Sequence, residues 1–362
     1  MPSIPFTMSA ATRALRRARA GALAAACVAS SAFCCAAFAA APAASAAPVA
    51  SAAPVAPLPA TGPTLSIAHA KGTATLPAQP AKVVTMDLVA LDTLDALGVP
   101  VAGVPATTLP PHLARYRDDS VVKVGTLFEP NQAVIEAIAP GLIVVGGRSA
   151  KQYDALSRLA PTVDLSVDRA DRIGAIARHA ESLGRVFGRQ QQAATAVQAL
   201  RAGVETLKHR AATAGTALMV LTAGENISAQ GPGSRFGTVH DAFGFQAALP
   251  DLNPEGRGTK LTVQQIRDAN PDWLFVIDRD AAVGKPPSAA LASLDGGALG
   301  RNAAGKPVRV VKLDPILWYL MDGGGLRGMQ LTVRQLNEAI DAAAAQGAAA
   351  PANAASERLS QR

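Results

Sequence analysis

Three arginines stand where a chain of this kind gains little from a permanent charge. Arg148 follows an apolar run in LIVVGGR, Arg235 sits in QGPGSRFG, and Arg279 closes DWLFVIDR. The apolar runs read as buried strands. Each arginine therefore falls at the carboxyl end of a predicted strand or in the turn into the next helix. In open α/β sheets ligands bind along that edge. A guanidinium stays charged and presents a planar fork of donors to anionic oxygens. Taken singly, each arginine reads more readily as a surface ion-pair partner. Three at equivalent places point to a ligand carrying several negative charges.

The elements that must hold them are legible as an alternation. TLSIAHA (64–70) and GTATLP (72–77) form a hairpin pattern. KVVTM (82–86) is a strand, followed by a helix in LVALDTLDALG closed by Gly98. VAGVP, VVKVGT and LIVVGG (142–147) continue as strands, with helices over QAVIEAIA (132–139) and AKQYDALSRLA (150–160), and TVDLS (162–166) is extended. A helical stretch from Asp168 to Ala214 is broken at Gly188, and its second half reads as one helix of about seven turns. The alternation then restarts with strands TALMVLTA, NISAQ, DWLFVID and RVVKL. Helices are expected over RFGTVHDAFG, LTVQQIRDA, SAALASLDGG and 326–342. This βα order implies largely parallel sheets with helices on both faces. The expected fold is α/β: two Rossmann-like lobes, 64–187 and 215–342, joined by one long helix, 188–214.

The ends carry a different composition. Arg13, Arg16, Arg17 and Arg19 precede an apolar, alanine-rich run to Ala40, and no acidic residue occurs before Asp87. Residues 1–46 match a cleavable secretory signal, with small-residue cleavage points at Ala39 and Ala46. All three cysteines (Cys27, Cys34, Cys35) lie inside it, so the mature chain has no disulfide. LAAAC, ending at Cys27, matches a lipid-attachment motif only loosely, so periplasmic release is expected over anchoring. Two tandem copies of SAAPVA run from Ser45 to Ala56 and PLPATGP follows, and residues 47–63 read as a Pro/Ala linker. The Ala/Gln/Ser-rich 343–362 reads as a disordered tail. The net charge of +7 is partly leader: without its four arginines, 30 basic residues face 27 acidic ones. That balance, with aromatics at 4%, excludes a nucleic-acid surface.

Taken together, KVVTMDL, VGTLFEPN, AIAPGLIVVGGR, SAQGPGSRFGTVHDAFG, NPDWLFVIDR and LDPILWYLMDGGGL resemble the periplasmic ferric-siderophore-binding proteins of ABC importers. The similarity is to the catecholate-type subgroup of the siderophore/cobalamin-type fold and covers about residues 64 to 342. The resemblance implies a non-enzymatic, monomeric carrier without an intrinsic cofactor. Its ligand would be a ferric siderophore carrying Fe(3+), and its partner an ABC permease in the inner membrane. It places Arg148, Arg235 and Arg279 in the family's arginine triad. It also makes Tyr319 the cleft tyrosine whose phenolate can reach ferric iron; the alternative is a buried tyrosine with a bonded hydroxyl. Trp318, beside it, is a candidate to line the cleft. A tris-catecholate ferric complex carries three negative charges. Each contact with a guanidinium is worth about 4 kcal/mol at an effective dielectric near 20 before desolvation is subtracted.

The sequence also departs from that family. Where some members carry an iron-ligating histidine, EGRGTK presents Arg257, which cannot ligate iron. Arg257 is expected instead to add a fourth positive charge for the chelate. The glutamates that usually dock the permease are replaced by Ala133 and Gln264, with Glu129, Glu136 and Asp268 nearby. The sequence does not name the siderophore. A corrinoid or haem carrier on the same fold is the second reading. A hydrolase is the third, though no Ser/His/Asp or Cys/His arrangement is legible. The five histidines have no metal-ligand spacing. The G-x-G-x-x-G at Gly323, Gly325 and Gly328 comes too late in the chain for a dinucleotide fingerprint. It reads better as a turn and helix start whose free amides face an anion.

Overall fold

The computed structural model describes residues 64–360, so the expected signal (1–46), the linker (47–63) and residues 361–362 lie outside the described residues. The chain opens with an antiparallel hairpin, β1 (Thr64–His69) and β2 (Gly72–Pro77). There follow β3 (Val83–Thr85), α1 (Leu88–Ala96), β4 (Val101–Val104), β5 (Val122–Lys123), α2 (Gln132–Ile138), β6 (Leu142–Val145), α3 (Tyr153–Leu156) and β7 (Thr162–Asp164). Their sheet has the order β5-β4-β3-β6-β7, and every pairing in it is parallel. A parallel sheet is covered on both faces, which is why all four residues of β6, LIVV, are buried.

Two helices cross to the second half: α4 (Arg172–Val186) and α5 (Gln190–Ala211), broken at Gly188 with φ 66° as expected. α5 buries Ala193, Val197, Leu200, Val204, Leu207 and Ala211, one stripe at alternating spacings of four and three. The second lobe contains β8 (Thr216–Ala223), β9 (Asn226–Gln230), α6 (Thr238–Asp241), β10 (Gln246–Ala247), β11 (Thr259–Lys260), α7 (Val263–Asp268), β12 (Trp273–Asp278), α8 (Arg279–Ala282), α9 (Ala289–Ala292), α10 (Gly296–Leu299) and β13 (Arg309–Lys312). Its main path is β11-β9-β8-β12-β13, with β10 added beside β8. β12 lies parallel to both β8 and β13.

Three expectations need correction. The second sheet is mixed: β9 runs antiparallel to β8, and β11 antiparallel to β9. Only two residues join β8 to β9, too few for a parallel crossover. The helices expected over 150–160, 235–244 and 288–297 are shorter pieces. The first is a 3₁₀ segment (Gly147–Gln152) plus the single turn α3, and the others reduce to α6, α9 and α10. Gly237 and Gly244 bound the second of these, and a stretch that short does not repay helix nucleation. Finally, α11 (Leu326–Ser360) continues through most of the stretch expected to be a disordered tail. Alanine, which dominates that stretch, has the highest helix propensity.

α11 packs on α5 and on α1, so the last helix seats against the first lobe. Its start is fixed by a carboxylate from that lobe. Asp92 of α1 is fully buried and accepts from the amides of Arg327 (2.9 Å) and Gly328 (2.9 Å to Oδ2, 3.1 Å to Oδ1). The Thr93 hydroxyl accepts from the Leu326 amide (3.2 Å), and His112 Nε2 lies 2.6 Å from Asp92 Oδ1. The free amides of the glycine-rich helix start do face an anion, and it is the protein's own Asp92. The approach requires glycine at 325, where a Cβ would fall 2.2 Å from the Val89 carbonyl oxygen. Among the described residues no helix is long and apolar enough to cross a membrane.

Candidate ligand-binding site

The site is built on segments leaving the carboxyl ends of β3, β6, β12 and β13, with Arg235 added from the loop between β9 and α6. After β3, Asp87 caps α1 by accepting from the Ala90 amide (2.8 Å). After β6, Gly146 and Gly147 bring the chain close to that carboxylate: a Cβ on Gly146 would lie 3.1 Å from Asp87 Cγ. Arg148 comes next, in the 3₁₀ segment. Arg279 begins α8 directly after β12. After β13 a π-helical turn, Ile316–Leu320, carries Tyr319. Such turns are rare and recur at functional sites.

The three arginines meet on this tyrosine. Arg148 donates through Nη2 to the Tyr319 carbonyl (2.6 Å) and through Nη1 to the Leu320 carbonyl (2.7 Å). Arg235 donates through Nη2 to the same Tyr319 carbonyl (2.8 Å). Arg279 donates through Nε to the Tyr319 hydroxyl (3.2 Å). The guanidinium carbons of Arg148 and Arg235 lie 5.6 and 5.4 Å from the centre of the tyrosine ring, on which Phe236 also stacks at 6.0 Å. Arg148 comes from the first lobe, and the other two come from the second.

Beside them is a cavity of about 300 Å³ whose lining includes Asp87, Arg148, Arg169, Arg172, Arg235 and Asp322. Four guanidinium groups against two carboxylates leave it net positive. Burial pushes the Asp87 carboxyl up to about 6, against the opposing pull of the Ala90 amide and of Arg148. Burial, and then the Arg235 charge, hold Arg148 below its ordinary value. Arg235 is ion-paired, its Nε and Nη2 donating to Asp322 Oδ1 at 2.8 and 2.5 Å. Arg172 is buried beneath and donates to the backbone carbonyls of Asp322 (2.9 Å) and Arg235 (3.2 Å).

Two expected site residues are placed elsewhere. Trp318 is fully buried, edge-on to Phe243 at 6.5 Å, with its Nε1 lacking a partner. The π-turn directs Leu317, Trp318 and Leu320 into the core and leaves Tyr319 outward, so Trp318 does not line the cavity. Arg257 is exposed in the loop before β11; its carbonyl accepts from Gln230 Nε2 (3.1 Å), and it lies outside the Tyr319 cluster. An exposed side chain in a loop two residues before β11 has no framework to aim it. Sequence reasoning missed Asp87, Arg172 and Asp322. One signal for Arg172 was available: a cation in the first turn of α4 opposes the helix dipole, so an arginine there needs another reason. Among the described residues no group of three or more His, Cys, Asp or Glu side chains is placed to hold a metal.

Residues 83–306 match the periplasmic binding protein family. The chain belongs to that family. It is 33% identical to the petrobactin-binding protein YclQ of Bacillus subtilis, over 74% of this chain and 84% of the relative. The crystal structure of YclQ superposes with a TM-score of 0.72 at 31% identity, covering 77% of this chain and 99% of that one. The ferric-anguibactin-binding protein FatB of Vibrio anguillarum is 30% identical over 70% of this chain and 81% of its own length. The periplasmic catecholate-siderophore-binding protein VctP of Vibrio cholerae superposes with a TM-score of 0.70 at 28% identity, covering 76% of this chain and all of that one. The matching proteins are named for binding and not for catalysis, and they share the two-lobe α/β fold.

Proposed function

We propose that this protein captures an anionic ferric siderophore at the arginine cluster around Tyr319 in the periplasm and delivers it to an ABC importer. One observation carries the reading: arginines from both lobes converge on a single outward tyrosine at the edge where α/β sheets bind ligands. The cluster's charge suits a polyanionic chelate, and relatives bind petrobactin, ferric anguibactin and catecholate siderophores. In this reading Arg148, Arg235 and Arg279 hold the chelate's negative oxygens, and the Tyr319 phenol contacts the chelate or its iron. Residues 64–187 and 215–342 act as the two lobes, with 188–214 between them. The exposed Glu129, Glu136 and Asp268 are the candidates to meet the permease.

The test is a titration of purified protein with a ferric tris-catecholate, read by tryptophan fluorescence quenching. Arg235→Ala and Arg279→Ala should each weaken binding at least about tenfold, the equivalent of losing one charge-assisted hydrogen bond. Unchanged affinity in single alanine variants of all three arginines defeats the proposal.

A further inference from the structure

The anion-binding fork of Arg235 is already engaged. Two of its nitrogens donate to one oxygen of Asp322, and both side chains remain about one-third exposed, at 33% and 31%. The backbones of the two partners are held from below by the buried Arg172, through their carbonyl oxygens. Their side chains are therefore free to separate without unfolding the turn. Asp322 has φ 52°, and Gly323 and Gly324 follow at 100° and 110°, so the carboxylate sits on a run of left-handed residues. The Asp322 charge also favours the ionised forms of the buried Arg148 and Arg172. Its hydrogen-bond partner is the arginine that faces the cavity.

We infer that Asp322 is an internal competitor for the binding site, a carboxylate that occupies Arg235 and that an incoming ligand must displace. The inference rests on the anionic-chelate reading and deepens it, because it concerns how tightly that site holds an anionic ligand. A ligand without negative oxygens gains nothing by breaking the Arg235–Asp322 pair. A ligand that brings several adjacent anionic oxygens replaces one carboxylate contact with a multiple one. The residue thus lowers affinity for the chelates that must break the pair and leaves neutral ones nearly untouched, so it tempers the site's preference for polyanions.

Asp322→Asn separates the charge from the turn, because asparagine is among the residues best tolerated at positive φ. Wild type and variant would be titrated calorimetrically with a ferric tris-catecholate and with a neutral ferric trihydroxamate. The variant should bind the tris-catecholate about fivefold tighter, the upper scale of a partly exposed ion pair. Its affinity for the trihydroxamate should stay within about twofold, since a neutral ligand has no stake in the pair. Its thermal midpoint without chelate should fall, because Arg235 loses its partner. Equal tris-catecholate affinity in the two proteins, or an equal gain for both chelates, overturns the competitor role and leaves the carrier proposal standing. Failure of both proteins to bind the tris-catecholate removes the carrier proposal and this inference together.

Discussion

Replacing Asp92 by alanine tests whether the two lobes are pinned through the start of the last helix. The wild-type carboxylate is fully buried, and its oxygens accept from the Arg327 and Gly328 amides and lie against His112 Nε2. Alanine leaves two helix-start amides and one imidazole nitrogen without their partner. Each buried donor left unmade costs about 1–3 kcal/mol. The space vacated by the carboxylate admits some water, which lowers the sum. Breaking a buried charged contact from one side typically costs about 3–5 kcal/mol, and that is the expected loss here. At roughly 2 °C per kcal/mol for a chain of this size, the thermal midpoint should fall by about 6–10 °C. Urea unfolding followed by far-UV circular dichroism gives the free energy, and a thermal scan gives the midpoint. Asp92→Asn should fall between, because its amide oxygen still accepts while its NH₂ confronts a donor. The Asp322 turn lies only a few residues before α11, so chelate affinity should weaken along with stability. An alanine variant that loses under about 1 kcal/mol refutes the capping argument, because even one orphaned amide would cost that much.

Asp87 gives a pH signature. Its carboxyl is raised from 3.8 to about 6 in the folded protein, so the fold binds a proton that the unfolded chain releases earlier, and stability declines as pH rises across that window. Asp87→Asn keeps the α1 cap, since the two residues cap equally well. It should flatten the decline and gain about 1–2 kcal/mol at pH 7, a figure reduced because the side chain retains some solvent contact; parallel pH–stability curves for variant and wild type would rule this out. Trp318→Phe removes an unpartnered buried N–H and some volume together, so it should stay within about 1 kcal/mol of wild type, whereas Trp318→Ala should cost about 3–5 kcal/mol. Calorimetric affinity for the tris-catecholate should be unmoved by the phenylalanine change, and a marked weakening would return Trp318 to the binding surface.

Much of this molecule is written in short-range pattern. Runs such as LIVV and WLFVID are buried throughout because a parallel sheet hides both faces, and they read as strands for that reason. Gly188 divides α4 from α5, and the stripe from Ala193 to Ala211 follows helical spacing. An arginine just beyond such a strand is necessarily at the sheet edge, which is why Arg148 and Arg279 could be chosen without coordinates. Local pattern fails where the backbone leaves standard periods. Trp318, a lining candidate because it flanks Tyr319, turns into the core at the π-turn while Tyr319 stays outward. It fails again for contacts that join distant segments. Arg235 meets Asp322 across 87 positions, Arg172 reaches the Asp322 carbonyl across 150, and Asp92 meets the Arg327 amide across 235. Residue types and periodicity determined which elements form and which charges stand at their ends. Which carboxylate answers which arginine depends on where loops meet after the sheets and helices have packed, and only the tertiary structure decided that.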